Sequence, residues 1–214
     1  MIRGRMIFSL VCCSAVCWAG WPTYHGDASL KGVGEAKLGD GLELAWRYNA
    51  GGEVYATPVS DGERIYFTAK KGRVVALGLD GKKLWEKAFS RKSDAGQEMP
   101  LRFEAPLVCA EGMVFAGTAR GAMIALDAKT GEEKWRYETD GVITGSPNFM
   151  DDSVVVLDQS EGALHRLDIK TGTLLWKTEG VERCDGAPGI GKGHIVFGSC
   201  LAALHVFSIE GKHL

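Results

Sequence analysis

The sequence predicts an all-β protein, a β-propeller of four-stranded antiparallel blades, on three observations. One turn pattern recurs: Leu126-Asp127-Ala128-Lys129-Thr130-Gly131 ahead of Trp135, Leu167-Asp168-Ile169-Lys170-Thr171-Gly172 ahead of Trp176, and a shortened Leu79-Asp80-Gly81 ahead of Trp85. Trp46, Trp85, Trp135 and Trp176 fall 39, 50 and 41 residues apart, while Pro58, Pro106, Pro147 and Pro188 fall 48, 41 and 41 apart. Between these markers lie short apolar runs split by polar turns, and no stretch carries the roughly 10–12 residues of helical periodicity that a crossover helix needs. A repeat of about 41 residues is one supersecondary unit, too small to bury its own apolar face without neighbours.

Each element follows from residue chemistry. Asp-x-x-Thr-Gly supplies an Asx acceptor and a glycine that takes positive φ, so the chain reverses at Asp127–Gly131 and Asp168–Gly172 without strain. In the third unit, Ser146–Phe149, Ser153–Leu157, Ala163–Leu167 and Thr173–Thr178 read as four strands separated by turns at Asp151-Asp152, Glu161-Gly162 and Thr171-Gly172. Proline at the start of an innermost strand leaves no ladder position empty. Residues 54–89, 103–138 and 142–179 thus form three full blades, and 186–209 supply three strands of a fourth.

Residues 1–19 read as a secretory signal: Arg3 and Arg5, an apolar run from Met6 to Trp18, and a cleavage point after Ala19. The chain's formal net charge of -2 comes from 25 basic and 27 acidic residues, and removal of Arg3 and Arg5 makes it about -4. No basic cluster points to nucleic acid. Ser14-Ala15-Val16-Cys17 is close to a lipidation signal, and membrane association is expected only if Cys17 is lipidated. Residues 20–42 form an aromatic, turn-rich lead-in that covers one side of the propeller, and the repeats occupy 43–214. Residues 43–48 read as an outermost strand without three strands of its own.

The motif Gly-x-x-x-x-(Ser/Thr/Ala)-Pro, a hairpin, then Ala-Leu-Asp-x-x-Thr-Gly-x-x-x-Trp resembles the repeat of the quinoprotein-like propellers. That family includes pyrroloquinoline quinone dehydrogenases and an outer-membrane assembly scaffold lipoprotein, and the likeness covers residues 43–211. Trp21-Pro22 with Gly26 is similar to the opening of its secreted members. The resemblance implies that Trp46, Trp85, Trp135 and Trp176 dock between neighbouring blades, and that the complete ring has about eight blades. Strand counting alone also permits residues 43–48 to complete the fourth blade and close a ring of four. The larger ring is preferred, with the chain a fragment of it.

Six cysteines are present, and export leaves Cys109, Cys184 and Cys200. A hairpin centred on Lys192 opposes Cys184 to Cys200 and predicts a disulfide between them in an oxidising compartment. A two-residue turn at Lys192-Gly193 would instead oppose Cys184 to Leu201. Cys109, among apolar neighbours, reads as a buried thiol.

No catalytic, cofactor-binding or metal-ligating set is expected. The chain lacks a nucleophile elbow, a His-Glu-x-x-His and a glycine-rich phosphate loop. The resemblance implies an adjacent-cysteine ring and a calcium cluster in quinone enzymes, yet the one adjacent pair, Cys12-Cys13, lies in the signal. Pyrroloquinoline quinone is therefore not an expected cofactor. The sequence reads best as a periplasmic or secreted, non-catalytic scaffold that associates with a protein partner or with itself through a propeller face or open blade edges. The alternatives are a degenerate or partial quinone dehydrogenase and a truncated product without independent function. A polar excursion between Phe89 and Arg102 is either a binding loop or neutral decoration.

Overall fold

The computed structural model describes residues 20–34 and 39–214, so the signal and lipidation expectations at 1–19 lie outside the described residues. Blade 1 comprises β1 (Val59–Ser60), β2 (Arg64–Ala69), β3 (Arg73–Gly78) and β4 (Lys83–Ala88). A ribbon of β5 (Ser90–Lys92) and β6 (Glu98–Pro100) follows. Blade 2 holds β7 (Val108–Ala110), β8 (Met113–Gly117), β9 (Ala122–Asp127) and β10 (Glu133–Glu138). Blade 3 holds β11 (Asn148–Met150), β12 (Ser153–Asp158), β13 (Ala163–Asp168) and β14 (Leu174–Lys177). Blade 4 has β15 (Gly189–Gly191), β16 (His194–Gly198) and β17 (Leu204–Ser208). Within each blade the strands pair in chain order and antiparallel.

The middle strands of blades 2 and 3 are apolar on both faces because each of these blades lies between two others. Along β12 every residue is buried, with Val154 and Val156 in the core shared with blade 2 and Val155 and Leu157 in the core shared with blade 4. The period-2 alternation therefore separates two interfaces rather than core from solvent. The outer strands alternate with solvent, and β10 buries only Trp135. The innermost strands β1, β7, β11 and β15 approach one another in sequence order, and each follows its proline within one or two residues.

Two sequence expectations are corrected. Residues 43–48 form no strand; Trp46, Tyr48 and Ala50 instead pack on Phe67, Ala69, Val75 and Leu77 of blade 1, where the outer strand of a preceding blade would dock. They do not complete blade 4, so no ring of four closes among the described residues. The outer edge of β17 is met instead by the chain's last residues, through the Phe207–His213 bridge and Leu214 N–H donating to Val206 O at 2.9 Å.

The second correction concerns register. Gly189 pairs with Val196 and Ile190 with Ile195, so the turn is centred between Lys192 and Gly193, both at positive φ (49° and 79°). Two-residue turns of this hand match the twist of the flanking strands, which is why the one-residue centre fails.

A buried polar contact at the blade 2–blade 3 seam sets a pH dependence. His165, 1% exposed, places Nδ1 2.9 Å from the Tyr137 hydroxyl. Burial, then Lys177, lowers its pKa below the usual 6.5, against the opposing pull of Asp158, Glu161 and Asp140. The unfolded chain then binds a proton that the folded one refuses, so this contribution to stability is complete above pH 6.5 and declines as pH falls toward the folded value. His165→Gln is expected to flatten the stability–pH curve below about 6.5, read as urea midpoints. An unchanged slope would assign the acid sensitivity to other groups.

Candidate functional site

Four features could carry function: the blade seams, the axial edges, the Cys184–Cys200 corner and the inserted ribbon. At the seams the recurring turns behave as their chemistry dictates. Asp127 Oδ1 accepts from Lys129 N (2.9 Å) and Thr130 N (3.0 Å), and Asp168 Oδ1 accepts from Lys170 N (3.0 Å) and Thr171 N (2.8 Å). These bonds hold both carboxyls below the ordinary Asp range, a structural rather than a catalytic perturbation.

Gly131 and Gly172 both sit at φ 71°, and a Cβ on either would lie 2.6 Å from the indole of Trp85 or Trp135. Each ring of one blade thus lies flat on the turn glycine of the next, so glycine is required twice, by φ and by contact. Trp46 and Trp176 cover Gly81 and Gly211 in the same way. The indole N–H groups of Trp46, Trp85 and Trp135 donate to Leu79 O (2.8 Å), Ala128 O (3.0 Å) and Ile169 O (3.0 Å). Trp176 differs: its Nε1 has no partner among the described residues, and Arg166 Nη1 donates to the Ile209 carbonyl at 3.3 Å.

At the axis, the lead-in runs across the inner strands of all four blades. Trp21 and Ser60 exchange both backbone bonds (2.8 and 2.9 Å), and Cys109 N donates to Pro22 O at 2.8 Å. The Thr23 hydroxyl reaches Ser146 and Pro147 O of blade 3, while Ala28 O accepts from Ile190 N (2.7 Å) and Asn148 Nδ2 (2.7 Å). Ser29 Oγ donates to Ile190 O at 3.0 Å. The aromatic opening was legible as a cover, but its path along the inner strands was not, because nothing in a sequence marks which edge a coil segment will satisfy. A flat polyanionic quinone would need cationic or amide donors converging near this axis. Here the inner edges are capped by residues 21–29, and the one amide donor among them, Asn148 Nδ2, is taken by Ala28 O and Pro188 O, so the residues present do not fit that cofactor. Among the described residues no three His, Cys, Asp or Glu side chains are placed to hold a metal.

Cys184 and Cys200 meet at the blade 3–blade 4 corner, where Cys200 N donates to Arg183 O at 3.0 Å. Both thiols are free, Cys184 Sγ donating to Glu182 O (3.0 Å) and Cys200 Sγ to Asp185 Oδ2 (3.4 Å). Burial, then Cys200, pushes the Cys184 thiol up to about 11, and the Asp185 contact raises that of Cys200. Cys109 is buried, and burial pushes its thiol up as well. Material exported to an oxidising compartment is expected to carry a Cys184–Cys200 disulfide and a free Cys109, read by peptide mapping with and without reductant. A bridge to Cys109, or free thiols at both other positions, would reject the pairing.

Four antiparallel blades, tied by tryptophan-on-glycine seams and crossed at the axis by their own lead-in, define a repeat propeller. Residues 39–102 and 70–205 match the family model described as Outer membrane protein assembly factor BamB, and the chain belongs to that family of PQQ-type repeats. Among curated relatives it is 38% identical over 108 residues to the BamB of Burkholderia pseudomallei, which covers 50% of this chain and 25% of that one. It is 30% identical over 139 residues to the quinohemoprotein alcohol dehydrogenase ADH-IIG of Pseudomonas putida, 59% of this chain and 19% of that one. The matched part is therefore about a quarter or less of those relatives' length. The solved BamB of Moraxella catarrhalis superposes with a TM-score of 0.64 at 22% identity, over 79% of this chain and 51% of that chain. The quinohemoprotein alcohol dehydrogenase of Comamonas testosteroni gives 0.68 at 18% identity, over 92% and 40%. Both likenesses concern the fold.

Proposed function

We propose that the chain is an exported, non-catalytic propeller scaffold that associates with proteins of outer-membrane assembly, in the manner the BamB name describes for its relatives. Its domains on this reading are a leader at 1–19, the axial lead-in at 20–42 and the repeats at 43–214. The observation that carries the reading is the capped axis: residues 21–29 occupy the inner edges of all four blades, leaving faces and flanks as the working surface. The four blades are part of a ring of about eight, supported by Trp46 sitting where a preceding blade's tryptophan belongs and by coverage of 51% of a solved BamB chain. Placement in the periplasm or outside the cell is in keeping with the same relatives.

The likeness to alcohol dehydrogenases favours a second reading, a partial quinone enzyme. One experiment separates the two. Titration of the exported chain with pyrroloquinoline quinone and calcium is expected to show no saturable binding below about millimolar, a free energy weaker than about 4 kcal/mol. Micromolar binding, or dye-linked oxidation of an alcohol, would move the chain among the enzymes.

A further inference from the structure

We propose that the groove beside the inserted ribbon binds an extended, acidic peptide segment of a partner protein. The ribbon is built rather than loose: Ser90, Arg91 and Lys92 pair with Pro100, Met99 and Glu98, and Leu101 N closes it on Phe89 O at 2.9 Å. Cavities of about 460 and 630 Å³ flank it and share Pro100, Leu101 and Arg102 as a common wall. The smaller reaches the β2–β3 turn of blade 1, and the larger reaches Thr118–Arg120 of blade 2 and Asp140–Val142 at the entry to blade 3.

Charge selects the ligand. Five basic side chains, Lys70, Lys71, Arg91, Arg102 and Arg120, line the two cavities against two carboxylates, Glu104 and Asp140. Lys70 is held by Glu53 and Arg102 by Glu104, whereas Lys71, Arg91 and Arg120 form no ion pair among the described residues. This cationic cluster sits on a chain whose formal net charge is negative, so its attraction for acidic groups is local and not a property of the whole molecule. Guanidinium groups match carboxylates in a two-point geometry.

The surroundings favour a peptide over a polyphosphate. Glu104 and Asp140 would repel dense phosphate charge but can accept peptide N–H groups. Met99 (44% exposed) and Tyr55 (68% exposed) offer apolar surface at the two sides of the ribbon, suited to the aliphatic residues that alternate with acidic ones along an extended segment. Arg91 and Met99 are directly paired across the ribbon and line the same cavity, which places a charge contact and an apolar contact side by side.

This inference rests on the scaffold reading, and its test separates the two. The probe is a fluorescein-labelled peptide alternating Asp or Glu with Leu, titrated by anisotropy into the exported chain at low and high salt. Saturable binding that weakens with salt is expected, with at least about a tenfold loss in R91E/R120E, equivalent to about 1.4 kcal/mol. Among the described residues neither of these side chains makes an ion pair, and Arg91 donates only to the adjacent Lys92 carbonyl, so the double variant keeps the bonds within the blades. Equal binding by the variant, equal binding of a Lys-for-carboxylate peptide, or adsorption to vesicles of anionic lipid with no peptide binding would overturn the groove. Photo-crosslinkers at Leu175 and Leu201, exposed on blades 3 and 4, report on the scaffold reading independently. Crosslinks to a partner without peptide binding reject the groove alone, and no crosslink at any position rejects the scaffold.

Discussion

Trp135→Ala is expected to lower stability by about 3–5 kcal/mol, the range for removing a large buried aromatic from a packed seam. Trp135 is 8% exposed, lies on Gly172, packs 5.7 Å from Phe115 and donates to Ile169 O. Its loss therefore opens a cavity and frees a carbonyl between blades 2 and 3. Trp135→Phe keeps much of the volume but not the donor, and should cost about 1 kcal/mol more than Trp176→Phe, because the Trp176 indole has no acceptor to lose. Urea midpoints of the three variants decide the matter. If Trp135→Ala stays within about 1 kcal/mol of the parent, the seam is not the unit of cohesion that repeat architectures require.

Removal of residues 20–34 is expected to cost about 4–7 kcal/mol. The six lead-in bonds to Ser60, Cys109, Asn148 and Ile190 contribute about 1 kcal/mol each, and their loss also uncovers inner-edge donors. Such a loss is comparable with the whole stability of many domains, so the shortened chain should melt at far lower urea or fail to fold. Hydrogen exchange on the intact protein gives a second readout that does not depend on the deletion surviving. The amides of Ser60, Cys109 and Ile190, each donating to the lead-in, should be protected as strongly as the mid-blade amides of β12. Exchange at the rate of exposed loops would remove the lead-in from its structural role and reopen the axis to ligands.

The two results bear on function together. The seams rest on tryptophans packed against turn glycines, and the inner strand edges are paired with the chain's own lead-in. What stays available is the periphery, including the groove at the ribbon.

Sequence alone determined the blades. The tryptophan and proline spacings, the Asp-x-x-Thr-Gly turns and the short apolar runs are local signals, and each acts through chemistry completed within a few residues: an Asx acceptor, a positive φ, a strand period. The resemblance carried by those same residues also placed the family correctly. Local signals fail where the partner is distant in sequence. Glu43–Tyr48 has the composition of a strand yet forms none, because no neighbouring edge meets it and the flank of blade 1 takes its aromatics instead. The Cys184–Cys200 register turned on whether a turn has one central residue or two, which Lys192 decided by adopting positive φ. Only the tertiary structure could show that a coil segment near the N-terminus satisfies the inner edges of four blades, or that Arg91, Arg102 and Arg120 line one groove. In both cases the packing of one blade on the next brings together groups from separate repeats, and no local sequence pattern records that placement.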